Sequence, residues 1–329
     1  MADVGRTPLV VDCDTGVDDA MALFYALLAP EVELVAIGTT WGNSYVETTT
    51  INTLRLLEIV GRPEVPVAMG ASKPLLGPLP DLAHGVHGED GQGNTFLPPP
   101  SLRPSGESAA AQLVRLAHAR PHELVLVPIA PLTNVATALA LDPEIARLYR
   151  EVVLMGGAYL THGNRSRFAE SNIWQDPEAA QVVLEAGWPL TLVGLDVTTK
   201  VLLDQPMLDR LRDSGSPAGR HLHRVTDFYL TNYERRWGRR ACALHDPLAL
   251  AIAVDRSLAL RAPRVRVDVE LRGTHTRGMT VADFRPWAPP EEANAQVVLE
   301  ADGPRFLERW MRVLGQPAPA EGRAGPASP

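Results

Sequence analysis

The stretch PLVVDCDTGVDDAMALFYALLA, residues 8–29, decides the fold. PLVVDCD is short and apolar, which predicts a buried strand. The period then changes: Ala22, Leu23, Ala26 and Leu27 fall on one stripe of a helix. At the junction stand Asp12, Asp14, Asp18 and Asp19, four carboxylates within eight positions. In an open parallel sheet the edge where strand gives way to helix is where ligands bind.

The alternation continues outward. VELVAIGTT (32–40) reads as the next strand and VETTTINTLRLLEIVG (46–61) as the next helix, stopped by Gly61 and Pro63. ELVLVPI precedes LTNVATALAL, EVVLMGG precedes DPEAAQVVLEAG, and PLTLVGLDV is a further strand. This pattern predicts an α/β, Rossmann-like open sheet, mostly parallel, with helices on both faces. RVRVDVEL, TRGMTVAD and NAQVVLEA read as late strands forming a small antiparallel extension. Residues 220–237 and 303–315 read as helices. Residues 70–104 are rich in Gly, Pro and His without periodicity, and a loop this long is usually functional. There is no internal repeat and no clear linker, so one domain is expected over residues 1–315. The Pro/Ala/Gly-rich residues 316–329 are expected to be a disordered tail.

The chain has 329 residues, 45% hydrophobic and 21% charged, enough for a full core. Its formal charge is −8, with no continuous lysine or arginine block. That disfavours nucleic acid or an anionic membrane as partner, since both need a basic face. Cys13 and Cys242 are too few for a disulfide framework and read as reduced thiols of a cytoplasmic protein. The most apolar stretch, 124–141, is broken by Pro128, Pro131 and Asn134 and is not a membrane span.

Alternation along a strand would point Asp12 and Asp14 the same way. Gly16 would permit the tight turn, and Asp18 and Asp19 would enter the first helical turn, where the helix dipole favours negative charge. Four acids exceed what a dipole stabilises; unscreened, their repulsion raises their pKa values. A hard divalent cation relieves this, and oxygen ligands suit calcium or magnesium. An EF-hand counted from Asp12 fails, because Val17 and Leu23 stand where Gly and Glu are required. A phosphatase of the haloacid dehalogenase type also opens with two Asp one residue apart. That family usually has Thr or Val where Gly16 stands, and it does not call for Asp18 and Asp19.

DCDTGVDDA resembles the signature of the inosine-uridine preferring nucleoside hydrolases. TTWGN (39–43), HGEDG (87–91), APLTN (130–134), VLMGGA (153–158), FAESNIWQDPEAA (168–180) and HDPLALA (245–251) follow in that family's order. The resemblance implies calcium held by Asp14, Asp19, Asp246 and the carbonyl of Ile129, a position that is often Thr in the family. The ribose 2′- and 3′-hydroxyls would complete the shell. It implies that Asp18, Asn43, Asn164, Glu170 and Asn172 hold ribose hydroxyls and that Met155 lines the sugar. Asp14 would be general base towards a water held by the cation, and nearby carboxylates would stabilise the positive charge built on the sugar. His245 would protonate the leaving base. The implied product is free base and ribose from a small nucleoside, of inosine/uridine or pyrimidine type. The implied assembly is a homotetramer or homodimer.

Two further groups come from the residues themselves. His84 and His87, in the long loop, would cover the base on closure or stand solvated. Tyr229, Tyr233 and Trp237 recur on one helix face, which suits core packing or a wall of the base pocket. Three functions stand open at this point: the nucleoside hydrolase, the phosphatase, and a non-catalytic ribose or nucleoside binder on the same fold.

Overall fold

A computed structural model describes residues 5–316. Strands β1 (Thr7–Cys13), β2 (Val32–Thr39), β3 (Val67–Met69), β4 (Val125–Pro128), β5 (Glu151–Met155) and β6 (Leu190–Val193) run parallel in the order 6-5-4-1-2-3. Ala295–Val297 adds a parallel strand beside β6, and Arg264–Val265 closes that edge antiparallel. The late strands therefore divide. Val267–Val269 and Thr280–Ala282 leave the sheet and pair with each other as a separate antiparallel ribbon.

The strands carry apolar residues on both faces because both faces are covered. Leu9, Val11 and Cys13 of β1 pack with helices Val17–Leu28, Val46–Val60, Pro217–Trp237, His245–Val254 and Gly303–Leu314. Val10 points into the opposite layer, under helices Ala109–Ala119, Thr133–Leu141 and Pro177–Glu185. The chain winds from β1 to β3 on one side, then crosses over to build β4 to β6 on the other. Winding reverses between β1 and β4, the place where open α/β sheets form a ligand crevice. Just past the strands, Thr40 N donates to Cys13 O at 2.9 Å and Ile129 N to Asp12 O at 2.8 Å. These bonds keep the carboxyl ends in register where the site begins.

Among the described residues no helix is long and apolar enough to cross a membrane. Cys13 and Cys242 are buried free thiols. Apart from Gln316, the stretch expected to be a disordered tail lies outside the described residues.

Candidate active site

β1 ends at Cys13, so strand alternation does not extend to Asp14, and Asp12 and Asp14 take separate surroundings. Asp12 lies beneath the sheet edge, where its Oδ1 accepts from Asn134 Nδ2 at 2.8 Å. Burial pushes its carboxyl up to about 7. Asp14 Oδ2 accepts the backbone N–H of Asn43 at 2.6 Å. Gly16 has φ −94°, ordinary for any residue, so it is not required for the turn. It is required for space: a Cβ there would meet His87 Nδ1 at 2.5 Å and Asn43 Nδ2 at 2.7 Å.

Asp19 organises the turn. Its Oδ1 accepts from Asp14 N at 3.1 Å, and its Oδ2 accepts from Gly16 N at 2.9 Å and Asn43 Nδ2 at 2.9 Å. A carboxylate at the third helical position reaching back to the N-cap amide is half of a capping box. It ties helix Val17–Leu28 to the end of β1. Asp246 arrives from the other end of the chain, in the first turn of helix His245–Val254. Asp18, Asp19 and Asp246, all buried, each offer an oxygen within 4.8 Å of the others. Asp14 lies beside this trio, its backbone N–H on Asp19 Oδ1.

Burial holds Asp14 and Asp246 well above the usual carboxylate range. For Asp14 the charge of Asp19 adds most to that effect; for Asp246 it is Asp18, then Asp19, Asp14 and Glu170. Asp19 is pushed up to about 7 by burial and Asp18, against two backbone hydrogen bonds. Asp14 Oδ1 and Asp18 Oδ1 are buried without a protein partner. A cluster of acids with orphaned oxygens fits a hard divalent cation, whose charge reverses the cost of ionising them.

Above the acids opens a cavity of about 270 Å³. Asp18, Asn43, Met155, Asn164, Glu170, Asn172, His87, Tyr229, Tyr233, His245, Ile129 and Asp246 all line it. Glu170 caps helix Ser171–Gln175, accepting from Asn172 N at 2.8 Å and Ile173 N at 3.2 Å, and it also accepts from Gly157 N at 3.1 Å. Asn172 Nδ2 donates to the carbonyls of Ile129 and Met155, each at 3.2 Å. Asn164 Oδ1 accepts from Ser171 N at 2.9 Å. These side chains are held by backbone bonds while keeping polar capacity for a polyol.

His87 does not hang in an open loop. It ends a one-turn helix, His84–His87, is buried, and its Nδ1 accepts from Val17 N at 3.1 Å. Gln92 fastens the same loop: its Nε2 donates to Gly16 O at 2.7 Å, and its Oε1 meets His221 Nε2 at 3.0 Å. Tyr229 and Tyr233 are both core and cavity wall. Tyr229 OH donates to Asp18 Oδ2 at 3.1 Å, the two hydroxyls lie 3.4 Å apart, and Tyr233 OH meets His245 Nε2 at 2.8 Å. Thr198 Oγ1 engages the other ring nitrogen of His245 at 2.7 Å. Burial lowers the pKa of His245, and Asp18 opposes that.

The profile of a family described as inosine-uridine preferring nucleoside hydrolase matches residues 9–308. The chain belongs to that family.

Relatives include an inosine-uridine preferring nucleoside hydrolase of Leishmania major, 39% identical and covering 93% of this chain and 96% of its own. A pyrimidine-specific ribonucleoside hydrolase of Salmonella paratyphi B is 37% identical over 92% of this chain and 96% of its own. A solved purine-preferring ribonucleoside hydrolase from Gardnerella vaginalis superposes with TM-score 0.88 at 37% identity, over 94% of this chain and 98% of that one. The chain is therefore a nucleoside hydrolase, an enzyme, and the phosphatase and the inert binder fall away. The relatives' names differ in the base they prefer, so membership leaves base preference open.

Sequence reading missed several residues of the hydrolase's cavity: His162, Arg165, Thr199 and Arg236. Arg236 was within reach, since Tyr229 and Tyr233 mark the buried face of the helix and residue 236 follows by the same period where that face comes out at the exposed end of the cavity. Thr198 carries no motif of its own; only the chain's return from β6 places it against His245.

Proposed function

We propose that the hydrolase uses calcium to cleave the N-glycosidic bond of ribonucleosides, releasing ribose and base. Asp19 and Asp246, with Asp14 and the carbonyl of Ile129, would hold the ion. When bound, calcium supplies positive charge that orients the sugar's diol and makes water more acidic. The observation that carries the reading is the convergence of acids from both ends of the chain, Asp18, Asp19 and Asp246, under one cavity. Asp14, buried with an unpartnered oxygen, accepts the proton of the attacking water. Asp18, Asn43, Asn164, Glu170 and Asn172 fix the ribose. The buried carboxylates stabilise positive charge on the ring as the bond to the base lengthens. His245, through Tyr233, returns a proton to the departing base.

Assembly as a homodimer or homotetramer, a cytoplasmic location, and one domain spanning residues 1–315 belong to the same reading. Sedimentation tests the assembly. A reducing-sugar assay with inosine, uridine and cytidine, with calcium and then with a chelator, tests the activity. Sugar release that stops on chelation is expected; release unaffected by chelation contradicts the role of the ion.

A further inference from the structure

The acids that suit a cationic sugar create a difficulty at the other half of the substrate. When the bond from C1′ to the base nitrogen breaks, its electron pair goes to the base, which becomes anionic until it gains a proton. Asp18, Glu170 and Asp246 all line the cavity and repel that charge. His245 answers only in part, because both its ring nitrogens are already engaged, by Thr198 and by Tyr233.

Two arginines line the same cavity. Arg165 is committed: its Nη2 donates to Asp81 O at 2.8 Å, and its guanidinium lies 4.4 Å from the centre of the Trp174 ring. Arg236 is different. It sits in the last turn of helix Pro217–Trp237, between Tyr233 and Trp237, which also line the cavity. The acids nearest in sequence are taken by another residue, since Arg240 pairs with Asp227 and Glu234. Among the described residues Arg236 makes no ion pair and no hydrogen bond. Arg236 is exposed and borders the cavity, so it is a donor-only, permanently charged group without a protein partner, free to turn to a ligand there.

We propose that Arg236 is a further catalytic residue of the nucleoside hydrolase, its guanidinium meeting the departing base and balancing the negative charge that develops there. The inference rests on the nucleoside-hydrolase reading. In the step, water forms the new bond to C1′ and gives its proton to Asp14. The glycosidic electron pair moves to the base nitrogen opposite Arg236. The base then takes a proton from the Tyr233–His245 pair, which solvent restores, while Asp14 releases its own proton to solvent. A donor-only guanidinium matches bases that present carbonyl oxygens, such as uracil or hypoxanthine.

The test uses the full-length, calcium-loaded protein with Arg236→Gln and Arg236→Lys, on uridine and on p-nitrophenyl riboside. The aryl leaving group is stable as an anion and needs little help. Arg236→Gln is expected to lower kcat on uridine about 10- to 100-fold, at or below the effect of removing a buried oxyanion donor because this site is partly open. KM should stay within about twofold, and the aryl riboside rate within about threefold, as expected when only transition-state stabilisation is lost. Arg236→Lys should recover part of the loss. Uridine turnover of Arg236→Gln within about twofold of wild type, an equal loss on both substrates, or a change in KM alone overturns the assignment. Wild-type protein that frees no ribose from any nucleoside defeats the underlying reading instead, and the two failures are distinguishable.

Discussion

Replacing Asp246 with Asn should make the protein more stable and useless at once. Asp246 is 3% exposed, and its carboxylate is packed near those of Asp14, Asp18, Asp19 and Glu170 with no cationic side chain among the groups that shift it. Without the ion, that arrangement is a concentration of buried like charge, and an isostere that removes one of those charges relieves its desolvation and its repulsion, a gain on the order of 1–3 kcal/mol. Unfolding entropy of roughly 2.1 cal/mol/K per residue gives about 0.7 kcal/mol/K for this chain, so Tm should rise about 1–4 °C in chelator. Calcium at about 100 times its Kd stabilises the native state by about 2.7 kcal/mol, or about 4 °C here. The wild type should show that gain and Asp246→Asn should show almost none. Differential scanning calorimetry in chelator and in calcium, beside a ribose-release assay, reads both. If Asp246→Asn melts below wild type in chelator, or climbs with it when calcium is added, the account of the acid cluster is wrong.

Three further outcomes are expected. Asp14→Ala should lose turnover by about 10²- to 10⁴-fold, the usual worth of a general base, while its circular dichroism stays native; wild-type rates would remove Asp14 from that role. His245→Ala should slow uridine cleavage more than cleavage of p-nitrophenyl riboside, and equal losses on both would argue against proton donation. The third concerns pH. Burial lowers His221 from 6.5 to about 4, so the unfolded chain binds the proton more readily than the native one. Stability from this group is complete above 6.5 and falls away as pH drops towards 4, by about 3 kcal/mol in all. His221→Gln should flatten that part of the stability–pH curve measured by urea unfolding, and an unchanged slope would contradict it.

The alternation of buried strands and amphipathic helices was legible for β1, β2, β4, β5 and β6 because a parallel sheet covered on both faces demands apolar runs of them, whereas the three-residue edge strand β3 was too short to show a pattern and was not read. The late strands were recognisable as strands but not assignable. Val267–Val269 and Ala295–Val297 have similar local patterns, and only three-dimensional packing sends one to a free ribbon and the other to the sheet. At the site, Asp18, Asp19 and Asp246 announced themselves by charge density and motif. The separation of Asp12 from Asp14 did not, because the end of a strand cannot be read to one residue. Gly16 was noticed for the wrong cause: flexibility suggested itself, whereas closeness to His87 and Asn43 is what excludes a side chain. The long loop looked loose from its glycines and prolines. Gln92 and His87 clamp it to the first turn of helix Val17–Leu28 through bonds between residues some seventy positions apart, such as Val17 to His87 and Gly16 to Gln92.

The most direct measurement is a crystal structure grown with calcium and ribose. The account predicts one ion at about 2.3–2.6 Å from carboxylate oxygens of Asp19 and Asp246, with both vicinal sugar hydroxyls in the same shell. Ribose seated away from Asp246, or an ion bound elsewhere while these acids keep only one another for company, would contradict it.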